Sequence, residues 1–120
     1  EAGLGSHALS ENITLGAGLI TEMVMTFILV FVIFATAVDS RGPGHIAPFA
    51  IGMAVMVDIF VGLPLTGASM NPARTLGPAL AAGQWADHWV FWAGPLSGGA
   101  IAALLYTYVF ARDSNDHIDA

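Results

Sequence analysis

Apolar residues fill positions 15–38 almost without a break, the exceptions being Thr21, Glu22, Thr26 and Thr36. Roughly 20 such residues carry a helix across a bilayer core of ~30 Å, so this stretch predicts a first membrane span. Asp58 is the one charged residue in a second run at 46–65, and a third run at 89–110 holds none, bounded by Asp87 and Arg112. Positions 39–45 read Asp-Ser-Arg-Gly-Pro-Gly-His, the Gly/Pro signature of a turn. Residues 1–14 are mixed and polar and read as a loop, and 111–120 as a tail. Three spans put the two ends of the chain on opposite sides of the membrane.

The span ends carry interfacial residues. Trp85, Trp89 and Trp92 gather at one end of the third run and Tyr106 and Tyr108 at the other, where amphipathic rings sit at headgroup level. Within that run Gly94, Gly98, Gly99, Ala102 and Ala103 recur at near-helical spacing, which predicts close approach of a neighbouring helix. Arg41 follows the first span and Arg112 the third, so the positive-inside rule makes their common face cytoplasmic. The expected assignment is an integral protein of the plasma (inner) membrane, with 1–14 an extracellular loop, 39–45 a cytoplasmic loop and 111–120 a cytoplasmic tail.

Composition strengthens the membrane reading: 56% of residues are hydrophobic and 10% charged, where a soluble domain is about a quarter charged. The net charge of −6 comes largely from Glu1, Glu11, Asp87, Asp113, Asp116 and Asp119, all outside the apolar runs and read as solvated. Lysine is absent, and three arginines cannot neutralise a run of phosphates, which excludes nucleic acid as a partner. Without cysteine there is neither a disulfide framework nor thiolate chemistry. The sequence opens on Glu1 with no initiator Met and no leader, and is expected to be part of a longer polypeptide.

Function concentrates between the second and third spans. Residues 66–83 are too apolar for a water-exposed loop and too short to cross, so they are expected to enter the membrane and return. Asn71 is a good helix N-cap and Pro72 suits the first helical position, which predicts a helix from Pro72 until Gly83 stops it. At 1.5 Å per residue this half helix measures roughly 15 Å and begins near the midplane. A helix start there exposes unpaired N–H groups and about half a positive charge, which hydrocarbon cannot solvate. Irregular backbone at that depth must be buried in protein or line a wet cavity. Arg74 sits in the first helical turn, where the dipole disfavours a cation, at a depth where a charge costs ~3 kcal/mol or more. A residue so wrong for stability points to function.

The string Thr66-Gly67-Ala68-Ser69-Met70-Asn71-Pro72-Ala73-Arg74 resembles the second signature loop of the aquaporin, or major intrinsic protein, family. Glu22 with Thr26, Ala47-Pro48 with Ile51-Gly52, and Trp92-Ala93-Gly94-Pro95 are similar to the family's fourth, fifth and sixth helices, so the resemblance covers essentially the whole chain. It implies an all-α membrane fold of three transmembrane helices and one re-entrant half helix, half of a six-helix inverted repeat whose two Asn-Pro-Ala starts meet at mid-membrane. One such triplet is present, so a pore needs a first half, from a missing part of the same polypeptide or from another chain. Two identical copies pairing antiparallel are the other possibility.

By the same resemblance the chain is a passive channel for water and small neutral solutes that excludes protons and ions. Asn71 donates to a passing water and the carbonyls of Gly67, Ala68, Ser69 and Met70 accept from it. Pro72 and Ala73 open the half helix, and Arg74, Ala68 and Ile59 occupy filter positions. Ile59 stands where strict water channels carry His, and the Asp58-Ile59 pair with Ala68 is similar to ammonia- and peroxide-permeable aquaporins of the tonoplast type. Glycerol or metalloid acids, or a non-conducting structural role, are the alternatives. Glu22 is expected to support the loop. Asp58 is expected to face the bundle and need a partner, and His45 and His88 to be solvated. An enzyme built on Glu22, Asp58 and His88 finds no acid-base pair and no metal spacing, so no catalytic residue, cofactor or metal is expected. A homotetramer is implied by the resemblance alone.

Overall fold

The computed structural model describes residues 3–111. Four helices follow in order. Thr14 caps α1 (Leu15–Ile33), its hydroxyl accepting from Ala17 N–H at 3.1 Å. α2 (Ala47–Thr66) follows a single tight turn at Gly44–Ile46, α3 is Pro72–Ala82, and α4 is Val90–Leu105. No strand occurs among the described residues. With their flanking turns, Leu15–Val38, Gly44–Thr66 and Val90–Phe110 are each long and apolar enough to cross a membrane. Arg112 and the rest of 112–120, including the acidic tail, lie outside the described residues, as do Glu1 and Ala2.

Both α1 and α4 widen at the same end into one turn of π-helix, closed by Asp39 N–H to Phe34 O at 2.9 Å and Ala111 N–H to Tyr106 O at 3.0 Å. The two wide turns are packed together through Phe31, Phe34, Tyr106 and Phe110. Asp39 is their polar hub. It accepts from Arg41 Nη2 at 2.7 Å and from the Tyr106 hydroxyl at 2.8 Å, while Arg41 also donates to Phe110 O. Those Arg41 bonds hold the Asp39 carboxyl well below the usual carboxylate range.

The long helices are packed chiefly α1 on α4, then α1 on α2. Gly98 permits the α1–α4 seam, because a Cβ there would run into the Met23 carbonyl. The interior mixes apolar and polar side chains, Phe91 and Val90 being as fully buried as Glu22. Among the largest side chains shut completely away are Glu22, Thr66, Thr75 and Ser69, while Phe49 (71% exposed), Phe60 (76%) and Leu80 (65%) stand outside. Apolar exteriors of this kind need lipid or another protein against them. A polar interior at membrane depth marks a working site.

Candidate functional site

α2 ends where Gly67 turns left-handed at φ +87°, and Ala68 and Met70 follow at φ +55° each. A left-handed residue with a Cβ is disfavoured by roughly 1 kcal/mol or more, so the surroundings must over-determine this path. Glu22 of α1 does so. Its Oε1 accepts from Thr66 Oγ1 at 2.6 Å and Ser69 N–H at 2.9 Å, and its Oε2 from Met70 N–H at 2.8 Å. Thr66 Oγ1 takes the remaining loop amide, Ala68 N–H, at 3.1 Å. With these amides turned back onto α1 and α2, the Ala68 and Ser69 carbonyls face the other way. There both accept from Arg74 Nη1, Ser69 O at 3.2 Å and Ala68 O closer still.

This settles the apparent conflict over Arg74. Its position at a helix N-terminus is unfavourable for a cation, but the guanidinium folds back over the loop onto two carbonyl dipoles, which offset the macrodipole. Each of those carbonyls keeps one lone pair for a second donor. All four loop carbonyls were expected to be free acceptors; two are already shared.

Asn71 adopts the extended conformation of an N-cap, and its Oδ1 accepts from Ala73 N–H at 2.9 Å and Arg74 N–H at 3.3 Å. Pro72 brings no N–H to satisfy. With the carboxamide oxygen engaged, its NH2 has no acceptor among the described residues. Asn71 lines a cleft of about 290 Å³ together with Leu29, Val55, Ile59, Ser69, Met70 and Arg74. Five of the residues singled out from the sequence thus share one cleft. Two others stand apart: the Ala68 side chain is fully buried against Met25 and Met70, and Gly67 lies on the far side of the loop against His7.

His7 lies in the stretch 1–14, which the sequence predicts to be an extracellular loop and in which nothing singles it out. Its ring is buried, tilted over Phe91 at 5.7 Å, with Nδ1 2.9 Å from Thr75 Oγ1. The segment is held there by Ser10 N–H donating to Leu65 O at 2.8 Å. Burial pushes the His7 pKa down, Arg74 pushes it further, and Glu22 opposes both. No periodicity marks a lone histidine in a mixed stretch; the signal is the buried Thr75 hydroxyl, which needs a partner. His88 is also less solvated than expected, because Trp92 Nε1 donates to its Nε2 at 3.0 Å and Trp85 packs on its ring, whereas His45 is exposed. Asp58 faces inward as the helical geometry required, 2% exposed, yet its Oδ2 finds no hydrogen-bond partner among the described residues.

Three apolar helices and a short capped helix, with Glu22, Asp58, Thr66 and Ser69 buried among them, define a membrane-embedded protein. The sequence matches the major intrinsic protein family model over residues 1–106, and the chain belongs to that family. It is therefore an integral membrane protein. It is 49% identical over 115 residues to a probable aquaporin, TIP-type, from Medicago sativa, covering 94% of this chain and 46% of that protein. It is 47% identical over 111 residues to aquaporin TIP4-4 from Zea mays, covering 92% and 44%. Aquaporin-4 from Mus musculus is 47% identical over 113 residues, covering 92% and 35%. The chain spans about half the length of the curated relatives it matches.

Proposed function

We propose that this chain supplies one half of a passive transmembrane channel for water and small neutral solutes, closed to protons and ions. The observation that carries it is the half-helix start: Asn71 and Arg74 line one cleft with the apolar Leu29, Val55 and Ile59. A molecule in that cleft meets donors at Asn71 and acceptor carbonyls at Ser69 and Met70, with nothing opposite to bond. Water passes one oxygen at a time to the Asn71 amide, while the positive helix end and Arg74 repel hydronium and metal cations, as in aquaporin-type pores generally.

The permeants proposed are water with ammonia or hydrogen peroxide. Support comes from Ile59, whose aliphatic side chain offers the cleft no hydrogen bond and no ring to narrow it. Glycerol and metalloid acids fit the same apolar wall less directly because of their size. A first half, from the same polypeptide or another chain, closes the cleft into a pore; the assembly proposed is a homotetramer with one pore per subunit in the plasma (inner) membrane, amino end outside and carboxyl tail cytoplasmic. Recovery of the tagged chain with internal membranes would overturn that location.

Stopped-flow light scattering on proteoliposomes carrying the complete channel tests the reading. Asn71→Asp and Arg74→Val should each let cations leak, by about tenfold or more if each removes some 1.4 kcal/mol of electrostatic barrier. Ile59→His should cut ammonia flux while water still passes. Absence of any osmotic water flux in the parent would favour the non-conducting structural role.

A further inference from the structure

We propose that the Met70 thioether is an oxidation site inside the cleft, converted to the sulfoxide by hydrogen peroxide, so that a channel passing peroxide narrows its own passage. The inference rests on the channel reading above, with peroxide as a permeant.

The chain holds five methionines, Met23, Met25, Met53, Met56 and Met70, and no cysteine, so thioethers are its only oxidisable sulfur. Their settings differ. Met53 (39% exposed) and Met56 (43%) stand on the outside of α2. Met25 is buried, with its sulfur packed over Gly62. Met70 alone of the five lines the cleft, beside Asn71 and Arg74. Its backbone is fixed there by the left-handed turn and by its N–H, which donates to Glu22 Oε2 at 2.8 Å. Its side chain is held in a cluster with Met25 and Ala68, against which Leu29, Val55 and Ile59 are packed.

The reaction needs no further reagent than peroxide. A sulfur lone pair attacks one peroxide oxygen and the O–O bond breaks. The second oxygen leaves as hydroxide and takes up the proton of the first, so sulfide and peroxide give sulfoxide and water. Sulfur loses two electrons and the peroxide gains them. Negative charge develops on the departing oxygen, and the Asn71 NH2, the Arg74 guanidinium and the positive start of α3 all favour it in that cleft. Met25 has Gly62 and Ala68 for neighbours in place of these donors.

The product replaces a flexible apolar side chain with a polar one that carries a strong acceptor. Its oxygen has no partner in the apolar cluster. Donors are available in the cleft, namely the Asn71 NH2 and the Arg74 N–H groups that the Ala68 and Ser69 carbonyls leave over. Bonding to them sets the sulfoxide across the passage and occupies the donors that a permeant uses.

The test compares methionines within one protein. The complete channel in proteoliposomes is treated briefly with millimolar hydrogen peroxide, and the sulfoxide at each methionine is measured by peptide mass spectrometry. Met70 should oxidise about tenfold or more faster than the equally buried Met25, the worth of one hydrogen bond to a charged group in the transition state. Tert-butyl hydroperoxide carries the same O–O bond on a group too wide for single file, and should oxidise Met53 and Met56 while sparing Met70. As Met70 converts, water permeability should fall about fivefold, the worth of one neutral hydrogen bond, whereas Met70→Leu, a swap of similar volume, should retain whatever flux it had before treatment. A Met70 that oxidises no faster than Met25, or equally with the bulky hydroperoxide, overturns the proposal, as does an equal fall in Met70→Leu. Selective Met70 oxidation in a protein that passes no water even before treatment would support the oxidation site and sink the channel reading instead.

Discussion

Glu22 shows most directly how one side chain sets a backbone path. Three donors converge on its two oxygens, and the loop they belong to contains three left-handed residues, two of which carry a Cβ. Glu22→Gln turns one oxygen into a donor that faces N–H groups, and should cost about 1–3 kcal/mol for the acceptor lost. Glu22→Ala strands all three donors and should cost about 3 kcal/mol or more, at about 1–3 kcal/mol for each buried group left unsatisfied; refolding from SDS into bicelles measures both, and equal stability of all three proteins would show that the loop holds itself. His7 gives a pH dependence of known sign. Its folded-state pKa lies below the ordinary value, so its contribution to stability is complete above ~6.5 and is lost progressively as pH falls below it. His7→Asn should flatten the acid limb of an SDS-unfolding profile. At this scale the sequence was legible where chemistry contradicts setting: a cation at a helix start, a carboxylate in a span and an Asn-Pro pair between apolar runs each announce a partner. His7 and Thr75 were not, because a histidine in a polar stretch and a threonine in a helix contradict nothing until the chain folds one against the other.

The helices themselves were read correctly from their apolar runs, and the reasons are local. Asn71, Pro72 and Gly83 fix both ends of α3, one by capping, one by a preset φ and one by a left-handed turn. Limits shifted by a residue or two where side chains override the pattern. Thr66 remains helical because its hydroxyl has both Glu22 and Ala68 to bond, and α4 starts after Trp89, which occupies the cap. The paired π turns left no trace in the sequence, since they arise where Asp39, Arg41 and Tyr106 tie two helix ends together. The small-residue row in α4 did predict close packing, and Gly98 tests it. Gly98→Ala sets a methyl group against the Met23 carbonyl, so α1 and α4 must separate. The expected loss is about 2 kcal/mol, in the range for overpacked cores, read as a lower SDS midpoint; unchanged stability would mean the seam yields freely.

Across the whole molecule, the three apolar helices put the 39–43 turn and the 83–89 connection on opposite faces. The chain contains no cysteine, so Ser40→Cys and Gln84→Cys can each be introduced singly and probed with a membrane-impermeant maleimide in sealed vesicles. One should label at once and the other only after permeabilisation; labelling of both from one side would refute three crossings. What could not be read from 120 residues is the far wall of the cleft, which on the proposed reading is supplied by a first half of the channel.

The apolar exterior and the buried polar cluster around Glu22 also change how the fold should answer to solvent. Urea opens ordinary domains by wetting greasy interiors, but here large apolar side chains such as Phe49 and Phe60 already face outward, and a knot of carboxylate, hydroxyls and imidazole is buried beside Phe91, Val90 and Met25. Short alcohols and polar organic additives, which offer that knot substitute bonding while remaining at ease beside Phe49 and Phe60, are the agents that should loosen it first. A purification that tolerates urea washes yet fails in such additives would be the practical signature of that polar cluster.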